Sequence, residues 1–192
     1  RQKIDRLDAR LLLQYATGCS HTDLLARPET PVSAPAHAQF AEWVERRTTG
    51  EPLAYLVGET EFRGRVFQVS PAVLIPRPET EVLIDLALEQ LRGLAGPKVL
   101  DLGTGSGIVA ISLALECPQA AVVAVDLAKE AISVARNNAG RLGARIDLRA
   151  GDWFAPLGDE RFDLIVSNPP YVAEGDPHLD LDGLPFEPRM AL

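Results

Sequence analysis

From residue 97 onward the chain alternates short apolar runs with segments of helical period, and this narrows the fold more than any single motif. Lys98-Val-Leu-Asp-Leu102, Ala121 to Asp126, Arg145 to Arg149 and Phe162 to Val166 read as strands. Ile108 to Leu115 and Ala128 to Ala139 read as the helices between the first three. Such alternation predicts an α/β fold: a parallel sheet with helices on both faces and ligands at the carboxyl ends of the strands. Candidate motifs sit at each of those ends.

The chain before this point is different. Ile4, Leu7, Leu11, Leu12 and Tyr15 recur at spacings of three and four over residues 1–17, and Gly18 is a stop signal. Ser20 and Thr22 are candidate N-caps of a short helix through Leu25, and the segment from Pro28 to Pro35 breaks the pattern. From Ala36, the positions Phe40, Trp43 and Val44 keep helical period to Arg46-Arg47, ending at Gly50. The two arginines are explained well enough by the negative end of that helix. The period then changes. Glu61 to Val69 carries β-rich residues on both sides of Gly64 and predicts a hairpin. Residues 74–81 lead into a helix from Val82 to Leu91, with Pro78 suited to its first turn and Glu79 and Glu81 to its positive end. There is no internal repeat, and the only biased segment is the acidic stretch from Glu174 to Asp182.

A length of 192 residues with 46% hydrophobic content allows a full domain and a smaller one with a real core. No run of about 18 apolar residues and no signal-peptide pattern occurs, so a soluble, cytoplasmic protein is expected. The net charge of −8 argues against broad binding to nucleic acid. It is unevenly spread. Residues 1–50 carry seven basic and six acidic side chains, which makes this part the better candidate for docking a macromolecule. Cys19 and Cys117 have no metal-ligand spacing, and His21, His37 and His178 form no pattern, so no metal site is expected.

Asp101-Leu-Gly-Thr-Gly-Ser-Gly107 joins the first strand to its helix. Glycines allow close backbone approach to a ligand, and the helix start offers free amide donors. The spacing is neither that of a dinucleotide fingerprint nor that of a P-loop. Asp101 would repel a pyrophosphate and attract a cation. Asp126 ends the second strand, where a carboxylate can accept from both hydroxyls of a ribose. Gly151-Asp-Trp-Phe154 follows the third, where Asp152 can accept from an adenine amino group beside an aromatic ring. Each carboxylate alone reads more readily as an exposed strand-end charge. Jointly they describe a nucleoside with a positively charged neighbour, S-adenosylmethionine. After the fourth strand comes Asn168-Pro-Pro-Tyr171, a stiff turn that either just ends the strand or holds a side-chain amide and carbonyls in the crevice.

These residues carry a resemblance. Asp101 to Gly107 with Asn168 to Tyr171 resembles class I methyltransferases acting on a planar nitrogen. Gly50-Glu-Pro-Leu-Ala-Tyr-Leu-Val-Gly58, Phe62-Arg-Gly64, Leu74-Ile-Pro-Arg-Pro-Glu-Thr-Glu81 and Phe186-Glu-Pro-Arg-Met-Ala-Leu192 narrow it to the release factor glutamine methyltransferases, the HemK/PrmC family. The resemblance implies a Rossmann-like methyltransferase domain at 74–192, an N-terminal helical docking domain at 1–58 and a hairpin linker at 59–73. It also implies S-adenosylmethionine as cofactor, with S-adenosylhomocysteine as product, and further sheet strands beyond residue 192 in the intact protein. The acceptor it implies is the glutamine of the release factor's Gly-Gly-Gln loop, in a monomeric enzyme with no membrane and no nucleic acid as main substrate. Asp101, Gly103, Thr104, Gly105, Gly107, Asp126, Asp152, Trp153 and Asn168 would border the cofactor. Asn168, Pro169, Pro170 and Tyr171 would hold the acceptor, with Asn168 and Pro169 accepting its two N–H groups and Tyr171 packing on the amide plane. A ribosomal-protein glutamine and an adenine of DNA are the alternative acceptors; a binding module without catalysis is the alternative of another class.

Overall fold

The four apolar runs of the second half form one sheet in the computed structural model, which describes residues 4–173, 175–180 and 183–192. Arg1 to Lys3 of the first expected helix, and Glu174, Leu181 and Asp182 of the acidic stretch, lie outside the described residues. The strands are β3 (Lys98–Leu102), β4 (Ala121–Asp126), β5 (Ile146–Ala150) and β6 (Leu164–Ser167), in the order β5-β4-β3-β6 and all parallel. The first two match the sequence reading residue for residue. The last two begin and end later, because Arg145 and Phe162 belong to the connections: β5 starts by pairing Ile146 with Val122, and β6 by pairing Leu164 with Val99.

Helices α5 (Glu79–Leu91), α6 (Ile108–Glu116) and α7 (Lys129–Leu142) pack with one face of this sheet. Ile84, Val99, Ala110, Ile111 and Ala124 are fully buried there, and burying a valine or isoleucine side chain is worth about 2 kcal/mol. On the opposite face, where the alternation predicts helices as well, Leu100, Leu102, Val123 and Val125 pack instead with Leu157 and Phe162 from the connection before β6, and no α-helical residue joins that cluster among the described residues. Helices α5 and α7 are longer than the apolar periodicity indicates. Pro78 sets helical φ ahead of Glu79, so the polar first turn of α5 is helical too. Helix α7 runs on to Gly143, whose left-handed cap closes it.

The N-terminal segment forms α1 (Arg6–Thr17), α2 (His21–Ala26), α3 (Ala34–Thr48) and α4 (Leu53–Val57). Gly18 caps α1, and Ser20 with Asp23 forms the capping box of α2. Arg46 and Arg47 do more than complement a dipole. Arg46 makes a two-pronged pair with Glu51 at 2.8 and 2.6 Å, and Arg47 reaches Asp8 on α1 at 2.7 Å. Helix α4, not foreseen from periodicity, is a five-residue turn between Pro52 and the left-handed Gly58, with Tyr55 and Leu56 buried.

The expected hairpin consists of β1 (Glu59–Phe62) and β2 (Arg65–Gln68). Its two-residue turn has positive φ at both Arg63 and Gly64, the mirror-image turn that fits strand twist. Arg63 is held there by Glu116 at the end of α6, at 3.1 and 2.8 Å, and by Asp85 on α5 at 2.8 Å. On the return strand Asn138, fully buried on α7, bonds both the amide and the carbonyl of Gln68, at 2.7 and 2.9 Å. Its amide also donates to the Ser106 carbonyl at 2.9 Å, tying the hairpin to the glycine turn. No helix among the described residues is long and apolar enough to cross a membrane.

Candidate functional site

The glycine turn leaves β3 at its carboxyl end and is fastened before any ligand is considered. The amides of Gly103 and Thr104 both donate to the Val125 carbonyl on β4, at 2.9 and 3.0 Å. Asp101 is buried, and its carboxylate accepts from the Thr104 hydroxyl at 2.6 Å and the Ala110 amide at 3.2 Å. Burial pushes its pKa up to about 6, with the charge of Asp126 adding to the shift and the two hydrogen bonds opposing it. Gly107, with φ +82°, serves packing: a Cβ there would lie 2.9 Å from Ile111 Cδ1 and 3.0 Å from the Ala135 Cβ. It lets α6 and α7 approach.

Asp126 is tied at both oxygens. Oδ2 accepts from the Gly105 amide at 2.8 Å and Oδ1 from the Ala128 amide at 2.9 Å. Each oxygen keeps a second acceptor position, in an orientation the backbone fixes. Past β5, the Gly151 amide donates to the Asp126 carbonyl at 2.9 Å. Asp152, Trp153 and Phe154 follow as exposed residues, and Trp153 adopts φ +43°. A bulky residue in that region is conformationally costly, a feature that gathers at ligand sites.

At the end of β6 the Ser167 hydroxyl donates to the Leu102 carbonyl at 2.8 Å, joining the base of the proline turn to the end of β3. Asn168 is half-buried, while Pro169 and Pro170 are exposed. Asp101, Gly103, Thr104, Gly105, Asp126, Asp152, Trp153, Asn168, Pro169 and Pro170 all line one cavity of about 390 Å³. Its size falls within the range of small-molecule sites. Two of the expected residues do not line it. Gly107 faces the helix packing just described, and Tyr171 lies 79% exposed outside the cavity, its amide donating to the Leu192 oxygen at 2.9 Å. A larger groove of about 630 Å³ lies at the other end of the sheet, where Lys98 and Ala121 begin their strands, away from these motifs.

The cavity also has walls to which sequence reasoning gave no place in the site. Ala72, Val73, Leu74, Pro76 and Thr80 line it from the segment before and into α5, and Pro188, Met190 and Ala191 from the end of the chain. Both segments stood out as motifs. Nothing in their spacing signals that residues 112 apart, Ile75 and Glu187, share a hydrogen bond.

The donor set suits S-adenosylmethionine: a buried carboxylate for a cationic group, an oriented strand-end carboxylate, a neighbouring aromatic, and glycines where a ligand approaches the backbone. Comparisons with known proteins agree with that chemistry. The profile of the methyltransferase small domain matches residues 80–182, and that of the PrmC N-terminal domain residues 2–58. The release factor glutamine methyltransferase of Bordetella pertussis is 52% identical over 98% of this chain and 70% of its own length; that of Burkholderia pseudomallei is 48% identical over 98% and 69%. Among solved structures, a T. thermophilus 16S rRNA N2 methyltransferase, RsmC, in complex with AdoMet and guanosine, is 28% identical with a TM-score of 0.52, over 61% of this chain and 33% of that one. The same parallel sheet with a methyltransferase turn, joined to the matching N-terminal helices and near-full-length identity of this order, means that the chain belongs to the release factor glutamine methyltransferase family.

Proposed function

We propose that this protein transfers a methyl group from S-adenosylmethionine to the side-chain nitrogen of a glutamine in a peptide chain release factor. The observation that carries the reading is the single cavity in which the carboxylates at the ends of β3 and β4 meet Asn168 and the two prolines. When bound, the cofactor supplies an electrophilic methyl on a sulfonium. Asp126 accepts from the ribose hydroxyls, Asp152 and Trp153 receive the adenine, and Asp101 with the glycine turn faces the cationic methionine end.

The acceptor needs help, because the lone pair of a carboxamide nitrogen is delocalised into its carbonyl. The Asn168 side-chain oxygen and the Pro169 carbonyl accept its two N–H groups and fix the nitrogen's direction. They also stabilise positive charge developing there, before a proton leaves to solvent. Two consecutive prolines suit this task, since their φ is fixed and the carbonyl positions are set without a ligand. Tyr171 is exposed and closes on the acceptor from outside the cavity. Residues 1–58 dock the release factor, 59–73 link, and 74–192 carry the methyltransferase chemistry; the enzyme works as a monomer in the cytoplasm, beside the translation machinery.

The 2–58 match and the names of the relatives favour a release factor over other planar nitrogens. The test incubates the full-length protein and labelled S-adenosylmethionine with a release factor, its Gln→Ala variant in the Gly-Gly-Gln loop, ribosomal protein and DNA. Label in the wild-type factor alone is expected. Label in DNA alone, or equal label in the Gln→Ala factor, overturns the reading.

A further inference from the structure

Three segments meet at one buried carboxylate. Glu187 has a side chain only 2% exposed, and its Oε1 accepts from Arg77 Nη2 at 2.5 Å while Oε2 accepts from the Ile75 amide at 3.1 Å. Beside it the Tyr55 hydroxyl of α4 donates to the Val73 carbonyl at 2.6 Å. Burial holds that phenol well above its usual pKa, with Glu187 adding to the shift and Arg77 opposing it, so the three side chains share one electrostatic neighbourhood. Phe186 packs with Tyr55, Val73 and Ile75 in a single apolar cluster.

These contacts bear on the cavity from two sides. Val73, Leu74 and Pro76 form part of one wall, and Pro188, Met190 and Ala191 part of another. The second segment then reaches the proline turn, since the Leu192 oxygen accepts from the amides of Tyr171 at 2.9 Å and Val172 at 2.6 Å. A continuous run of bonds thus joins Tyr55, the 73–77 segment, Glu187, the last residues and the turn that begins at Asn168. A buried carboxylate fixes such a junction strictly, because it is strongly disfavoured away from its cation and its amide donor.

We propose that Glu187 is a positioning residue, which couples the 73–77 wall to the segment holding the Asn168 turn and so sets the acceptor clamp. The inference rests on the role given to Asn168 above. Glu187→Gln keeps an acceptor for the Ile75 amide and removes the charge; Arg77→Lys keeps a cation near Glu187; Ile84→Val, in the core beneath the sheet, controls for lost stability alone. In the full-length protein, Glu187→Gln is expected to speed amide exchange at Tyr171 and Val172 by about tenfold. It should also lower kcat per folded molecule by about a hundredfold, with a smaller effect on KM for the cofactor. Arg77→Lys should keep both close to the wild-type values, and Ile84→Val should change neither. Unchanged exchange at Tyr171 and Val172 in Glu187→Gln overturns the coupling, as does a kcat per folded molecule equal to that of Ile84→Val. If the wild-type protein methylates no release factor, the functional reading fails by itself, and the exchange measurement still decides the coupling.

Discussion

The two sides of the cavity are built differently. On the glycine-turn side the groups assigned to the cofactor are already held by the protein. Asp101 is buried on a hydroxyl and an amide, both oxygens of Asp126 accept backbone amides, and the turn hangs on Val125. On the Asn168 side, the turn is fastened at its base by Ser167 and at its far end by Leu192, while the prolines and Tyr171 stay exposed. A small cofactor of constant shape can be met by a finished socket. On the proposed function, a glutamine on a protein loop arrives from outside, and the surface assigned to receive it is open.

On that division, the largest effect comes from the open side and spares the socket. Asn168→Ala removes one acceptor for the amide N–H and is expected to lower kcat by about a hundredfold to a thousandfold. Cofactor affinity measured by calorimetry should stay close to that of the wild-type protein. Equal losses in kcat and in cofactor binding would mean that the two sides form one unit.

The converse change strikes the socket. Gly107→Ala places a methyl group 2.9 Å from Ile111 and 3.0 Å from Ala135 at φ +82°, so both overpacking and backbone strain apply, at about 2–4 kcal/mol together. A denaturant titration should show the midpoint fall, with cofactor affinity weakened through the displaced turn. An unchanged midpoint would show that α6 and α7 can separate without disturbing the turn.

The contrast also separates what was legible in the sequence from what was not. β3 and β4 could be read to the residue because they are apolar runs bounded by Pro97, the glycine turn and Asp126. The carboxylates at their ends follow from the rule that parallel sheets bind ligands at their carboxyl edge. By spacing, Gly107 reads as one of the ligand-facing glycines, since a spacing pattern cannot tell a glycine that admits a ligand from one that admits a helix. The walls contributed by Val73 and Met190 were out of reach. They depend on Glu187 meeting Arg77 across 110 residues, and no local period encodes such a pairing. Helix α4 is not legible in the sequence because five residues are too few to show a helical repeat.

Asp101 offers a test of the socket by pH. Its folded value of about 6 lies above the ordinary carboxylate value of 3.8 because burial disfavours the charged form. Between these two values the unfolded chain ionises while the folded one does not, so this group's contribution to stability declines as pH rises from about 4 to about 6 and is level above that. A cationic ligand beside Asp101 favours the ionised form, which gives the opposite trend in binding. Cofactor affinity is expected to rise by about tenfold from pH 5 to pH 7 and then level off, with proton release seen by calorimetry in buffers of different ionisation enthalpy. Asp101→Asn should flatten both curves. A binding curve that stays sloped in that variant would assign the proton elsewhere.

The smallest effect concerns Tyr171, and it sharpens the comparison most finely because the residue stands outside the cavity. With the residue 79% exposed, Tyr171→Ala should cost little stability, and Tyr171→Phe less. If the ring closes on the arriving amide, its loss removes a stacking contact of about 1 kcal/mol, which is about a fivefold rise in KM for the release factor. The phenylalanine variant keeps the ring and should stay near the wild-type value, and cofactor affinity should not respond to either change. A weakened cofactor in Tyr171→Ala would show instead that the ring folds back over the socket, and that the open side is shut until the acceptor displaces it.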